Sequence, residues 1–351
     1  MKRRTYLGGT LAVAARLAVP GSVAALAGCG ASGARDALTR LAGPTMGTGY
    51  RVSLPQRLST EEAESVRAGV EAALGRVDTL MSTYRPESEL SRFNLAGAGE
   101  WIDLSPDTAT VIGEAMRVGS VSGGGFDVTV GPLVDLWGFG PAEGKNSVPS
   151  DEAIADASAR TGADALQFDP ARGLLRKNRS GLGMDLCGIA KGHAVDLVAA
   201  YLETMGFDSF LIDVGGELNA RGRKSDGSRW RVGIERPVAG GRQVQRVVEL
   251  AGGTIATSGD YRNFFDRDGR RYSHTIDPRT GRPVQHGLAS VSVLSDRAIS
   301  ADALSTAMMV LGPEEGAALA ERLDVPALFL LRSEDGIVER ATRSFHERVV
   351  A

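Results

Sequence analysis

The sequence predicts an α+β fold with mixed or antiparallel sheets and grouped helices. Strand-like runs follow one another through the later half, where a doubly wound sheet would alternate them with helices. The helical patterns gather instead into a first-half group and a pair near the C-terminus. Reading in order, Ser59 and Glu62 form a capping box ahead of Ala63, Val66, Val70, Leu74, Val77 and Leu80, apolar positions at helical spacing. A second helix opens at Ser105 with Pro106 in its first turn and stops at the glycines of 123–125. A short helix follows Ser150, and another runs from about Ile189 to Met205, stopped by Gly206. The strand signals are "SFLIDV", "RWRVGIE", "QRVVEL", "YSHTI" and "LASVSVL". Two helices, "SADALSTAMMVL" and "PEEGAALAERL", then precede "ALFLL" and "IVERAT", which flank the turn "SEDG".

The first 28 residues read as a leader. "MKRR" is a basic start, and the apolar stretch from Leu7 to Ala27 is too short and too interrupted for a stable membrane span. The stretch "LAGC" resembles the cleavage site of a bacterial lipoprotein, which makes Cys29 the lipidated residue and a mature N-terminus. Residues 29–42 read as a tether and 43–351 as the working domain, with a possible subdomain boundary near 140–150. These features predict an exported protein, lipid-anchored to the cell envelope and facing the periplasm or extracytoplasmic space. Without the leader, 36 Lys+Arg stand against 43 Asp+Glu, a net charge of −7. That excludes nucleic acid as the main partner. With Cys29 lipidated, Cys187 has no disulfide partner and reads as a small buried hydrophobe.

Four stretches put polar groups where a plain core would not. Residues 123–140 set Asp127 in a Gly-, Val- and Phe-rich run whose glycines permit close approach of a flat or phosphorylated ligand. Residues 257–265, "TSGDYRNFF", read as a binding turn carrying Asp260, Arg262 and Asn263. Residues 272–283 bring His274 close to Asp277, and His is the side chain suited to proton transfer near neutrality. In "SADALSTAMMVLG", Asp302 and Thr306 are i and i+4, so both oxygens project from one helix face, a pattern that suits a hard cation such as Mg²⁺. "DLCGIAKGHAVD", residues 185–196, adds Asp185 and Lys191 to an otherwise apolar helix. Gly183 and Gly188 have P-loop spacing, but Ile189 occupies the place of the phosphate-binding lysine, so that reading fails.

With "PTMGTGY", "MSTYRPESELSRFN", "LIDVGGEL" and "WRVGIERP", these stretches form an ordered set over roughly residues 43–345 that resembles the ApbE-like FAD:protein FMN transferases. The resemblance implies a T-fold-like core with a smaller α/β subdomain. It implies FAD contacts at Met46, Tyr84, Gly125, Phe126, Asp127, Asp185, Lys191, Ile276 and Ser305. It also implies Mg²⁺ held by the Gly188 carbonyl and by the Asp302 and Thr306 side chains. Cys187 departs from the small residue expected at its position.

The resemblance further implies a Mg²⁺-dependent transfer of FMN from FAD, the substrate, to a Thr or Ser hydroxyl of an exported acceptor, with release of AMP. A hydroxyl needs a positioned base, and His274 is the candidate. Two alternatives stay open: an FAD pyrophosphatase using water in the same pocket, and a non-catalytic flavin-binding lipoprotein. The acceptors implied are subunits of quinone reductases, Rnf-type complexes or related flavoproteins with [S/T]-G-A-[S/T] segments. The nearest stretches in this chain, "SGAR" and "TGAD", lack the final hydroxyl residue, so self-modification is not expected.

Overall fold

A computed structural model describes residues 38–141, 147–238, 243–250 and 252–349. Cys29 and the leader lie outside the described residues, as do residues 142–146 of the suggested subdomain boundary. The first strand begins at Thr39, inside the stretch read as tether.

In chain order the structure contains β1 (Thr39–Thr45), β2 (Thr48–Leu54), α1 (Thr60–Met81), α2 (Glu89–Leu95), β3 (Ile102–Asp103), α3 (Pro106–Val121), α4 (Gly131–Leu136) and α5 (Asp151–Ser158). Next come β4 (Leu166–Asp169), β5 (Leu174–Lys177), α6 (Ala190–Thr204), β6 (Phe210–Val214), β7 (Glu217–Arg221), β8 (Trp230–Glu235), β9 (Val244–Leu250) and β10 (Gly253–Gly259). The chain continues through β11 (Phe264–Arg267), β12 (Arg270–Ser273), β13 (Ile276–Asp277), β14 (Arg282–Pro283), β15 (Leu288–Ser295), α7 (Ala298–Arg322), β16 (Ala327–Ser333), β17 (Gly336–Ala341) and α8 (Arg343–Arg348).

Eight strands form the main sheet in the order β1-β2-β6-β7-β10-β15-β16-β17, antiparallel at every pairing. Alternation along the strands divides the core. On β6, Phe210, Ile212 and Val214 join the cluster formed with α1, α3, α6 and α7, while Leu211 joins a second cluster on the opposite face with Trp230, Val232 and Val248 of the β8–β9 ribbon. A third cluster, Leu133, Trp137, Ile154, Ala157, Phe265 and Ile276, binds α4 and α5 to the β11–β14 segment. Trp137 Nε1 donates to the Gly281 carbonyl at 2.9 Å, tying residues far apart in the chain.

The capping signals act as the sequence suggests. Ser59 and Glu62 cap α1 reciprocally, and Ser105 and Ser150 accept from the backbone N–H three residues on. The two C-terminal helices are present as read: within α7, Gly312 (φ 79°, ψ −173°) is non-helical ahead of Pro313, so the span holds two helices end to end. One reading changes. "YSHTI" is not one strand: the chain leaves β12 at Ser273 and re-enters pairing at Ile276, so His274 stands in the break. Among the described residues no helix is long and apolar enough to cross a membrane.

Candidate active site

A cavity of about 430 Å³ opens between the end of the main sheet, the first turn of α6, one face of α7 and the 123–140 segment. Eleven sequence-derived candidates line it: Tyr84, Gly125, Phe126, Asp127, Asp185, Gly188, Lys191, His274, Ile276, Asp302 and Thr306. Two do not. Met46 sits in the β1–β2 turn with φ 46° and packs against the main core. Ser305 is fully buried behind the wall, donating to the Asp302 carbonyl at 2.9 Å and lying 2.9 Å from the Ser258 hydroxyl.

α6 and α7 pack together, and this brings one wall into register. Thr306 Oγ1 lies 3.4 Å from the Gly188 carbonyl and 3.2 Å from Ser258 Oγ. Asp302, one turn earlier, accepts the Gly192 N–H at 2.9 Å. A Cβ on Gly188 would stand 3.1 Å from Thr306 Oγ1, so a side chain there would crowd the wall. Among the described residues no group of three or more His, Cys, Asp or Glu side chains could hold a metal. The Asp302–Thr306–Gly188 set has one carboxylate, one hydroxyl and one carbonyl. These are hard oxygen donors of the kind Mg²⁺ takes when water and phosphate complete its shell.

Lys191 Nζ lies 2.8 Å from Glu217 Oε1 and 3.7 Å from Asp302 Oδ1. Burial works against its charge, but the two carboxylates outweigh burial and raise its pKa. The same burial pushes Glu217 up to about 7 and raises Asp302, with Lys191 pulling each back. Glu217 is the residue that sequence reading missed. Its signal was an acid just after the glycine pair in "LIDVGGEL", where the β6–β7 hairpin turns the strand back over the cavity.

The remaining groups are tied locally. Asp185 accepts the Cys187 N–H at 2.7 Å, so it caps the turn before α6 and not the helix itself. Cys187 is not in the core: this turn points its thiol into the cavity, and the neighbouring Asp185 charge, then burial, raise its pKa well above the usual thiol value. Asp127 accepts from the Thr129 N–H at 2.8 Å, the Thr129 hydroxyl at 2.7 Å and the Ala163 N–H at 3.2 Å, which fixes the loop beneath Phe126. The 257–265 stretch is not one turn but the end of β10, a short link and the start of β11; in the link Asp260 pairs with Arg332 and Arg262 with Glu235.

His274 Nδ1 lies 3.1 Å from the Asn263 carbonyl, and its ring meets Phe139 edge-on. A carbonyl can only accept, so Nδ1 carries the hydrogen and Nε2 keeps its lone pair. Desolvation by the surrounding protein lowers the pKa and favours this neutral form.

The fold is one that flavin transferases share. The structure matches the flavin transferase ApbE from Vibrio cholerae with a TM-score of 0.82, at 42% identity, over 89% of this chain and 99% of that one. It matches the flavinyl transferase ApbE from Pseudomonas stutzeri with a TM-score of 0.81, at 43% identity, over 90% and 97%. In sequence it is 39% identical over 310 residues to the FAD:protein FMN transferase of Haemophilus influenzae, covering 87% of this chain and 90% of the relative. The chain belongs to the ApbE family, whose model matches residues 46–329.

Proposed function

We propose that this chain transfers the FMN half of FAD to a Ser or Thr hydroxyl of an acceptor protein, releasing AMP, with Mg²⁺ at the Asp302–Thr306–Gly188 wall. Relatives named FAD:protein FMN transferase support the activity. The observation that carries the mechanism is the shared cavity, which pairs hard oxygen donors on α7 with a neutral, oriented histidine. Asp302, Thr306 and the Gly188 carbonyl would hold Mg²⁺, which would supply positive charge to offset that of the pyrophosphate.

The residues divide the remaining work. His274 Nε2 takes the proton from the acceptor oxygen as that oxygen bonds to the FMN phosphorus. The bond from phosphorus to the bridging oxygen breaks, and AMP leaves carrying that oxygen. The Lys191 ammonium lies at the cavity floor beside the developing negative charge, and Phe126 and Ile276 offer apolar walls to a flat ring. Gly188 and Gly125 keep their parts of the wall free of side chains.

We propose exported flavoprotein subunits as the acceptors; the "LAGC" stretch, read as a lipoprotein cleavage site with Cys29 as the anchor, supports that reading. The deciding experiment incubates the protein with FAD, Mg²⁺ and a candidate acceptor domain and follows intact mass. An FMN-sized increase on the acceptor supports transfer. AMP release without acceptor, and no increase with it, would show water to be the substrate.

A further inference from the structure

Glu217 is 3% exposed, and among the described residues its Oε1 has a side-chain hydrogen-bond partner, Lys191, while Oε2 has none. A buried acid of this kind costs stability unless it is needed, because an apolar residue of similar volume would avoid the desolvation. The FMN-transfer reading gives it no substrate to touch. Its side-chain hydrogen bond among the described residues goes to an ammonium that also faces Asp302.

The distances are unequal. Lys191 Nζ is in hydrogen-bond contact with Glu217 at 2.8 Å and stands off from Asp302 at 3.7 Å. Asp302 Oδ2 is already committed to the Gly192 N–H, so Oδ1 is the oxygen left for a cation. An ammonium that moved about an ångström toward Oδ1 would form a direct pair there and compete for it. A divalent ion at Asp302 would add positive charge to a cluster that holds two acids and one ammonium.

We infer that Glu217 is a positioning residue: it holds the Lys191 ammonium away from Asp302 and thereby keeps Asp302 Oδ1 available to a divalent cation. The inference rests on the metal reading of Asp302 and Thr306. It assigns Glu217 no contact with FAD or acceptor. Its three residues lie on three elements, the first turn of α6, the start of β7 and α7, so the arrangement exists only in the folded chain.

The test is Mn²⁺ binding to the FAD-free protein, read from the loss of the free-ion electron paramagnetic resonance signal. Glu217→Gln removes the charge with little change of shape and should weaken Mn²⁺ binding roughly tenfold, within the range for coupled charges in one network. Glu217→Asp keeps the charge and should stay within about threefold of the unaltered protein. The discriminating variant is Lys191→Met combined with Glu217→Gln. With the competing ammonium gone, Mn²⁺ affinity should return to at least the unaltered value. A merely structural Glu217 would leave the double variant as weak as Glu217→Gln or weaker, and that result overturns the inference. Equal affinity in Glu217→Gln and the unaltered protein overturns it too. Absence of Mn²⁺ binding by the unaltered protein would overturn the metal reading first and the role of Glu217 with it. Thermal unfolding of each variant, in the absence of metal, separates these effects from loss of fold.

Discussion

The backbone N–H of Gly192 donates to Asp302 Oδ2 at 2.9 Å, joining the first turn of α6 to the second turn of α7. The contact requires glycine. A Cβ on residue 192 would lie 2.3 Å from the Ala298 carbonyl oxygen and 2.8 Å from the Asp302 Cβ. Gly192→Ala should therefore push the helices apart, costing about 1–3 kcal/mol as an overpacked site does. Urea unfolding checks this, and an unchanged midpoint would show that the helices yield freely. Transfer activity should fall with stability, because the same shift moves Asp302 and Thr306 away from the Gly188 carbonyl.

Asp302 is 2% exposed, so replacing it by alanine would open a void and leave Lys191 with one partner fewer. Asp302→Asn is the cleaner test, since it keeps volume and removes the charge that a cation needs. Transfer should drop at least roughly a hundredfold, because a bound metal supplies several kcal/mol of charge stabilisation at the phosphate. Excess EDTA should reduce the unaltered protein to a similar level. An Asp302→Asn variant with full, EDTA-insensitive activity would remove the metal from this wall.

Local chemistry was readable in the sequence wherever neighbours in the chain decide it. Ser59 with Glu62, and Ser105 with Pro106, announce helix starts because capping partners lie within four residues. Asp302 and Thr306 share a helix face by spacing alone. What was hidden depends on partners far along the chain. Glu217 meets Lys191 across 26 residues and Asp302 meets Gly192 across 110, so neither burial nor pairing can be inferred from either end. Cys187 reads as core because Leu186 and Ile189 flank it, yet the turn capped by Asp185 aims those two inward and the thiol into the cavity. The break at His274 was likewise obscured, since its flanks carry ordinary strand residues.

Cys29 gives a prediction about location. If it carries the lipid anchor, the unaltered protein should fractionate with membranes, and Cys29→Ala should move it to the soluble envelope fraction or leave it unprocessed. Protein released from the membrane should retain transferase activity, because the described fold begins at Thr39. Mass spectrometry of the mature N-terminus is the check, and any first residue other than Cys29 refutes the assignment.

Cys187 offers a probe of occupancy. Its thiol lines the cavity, and the charge of Asp185 disfavours the thiolate. Alkylation by iodoacetamide should be slow at pH 7 and rise well above pH 9. Saturating FAD should slow it further at every pH. Cys187→Ser should transfer FMN at close to the normal rate, since no step requires sulfur. Equal alkylation rates with and without FAD would place the substrate elsewhere.

His274 separates general base from mere cavity wall. Desolvation lowers its pKa below the ordinary histidine value, so the neutral, proton-accepting form predominates at pH 7 and is lost only as pH falls through the lowered pKa. The rate at saturating FAD should therefore be flat near neutrality and decline on a single acidic limb below pH 6.5. His274→Asn should erase that limb and slow transfer by roughly 10²–10⁴, the usual worth of general-base catalysis, while FAD affinity stays within a few-fold. Equilibrium FAD binding by fluorescence and single-turnover transfer across pH measure the two effects separately. If the variant instead binds FAD weakly but turns over normally at saturation, His274 is a substrate contact. The base must then be sought among the remaining acids, with Asp277, three residues on and engaged by Arg279 at 2.9 Å, the first to test.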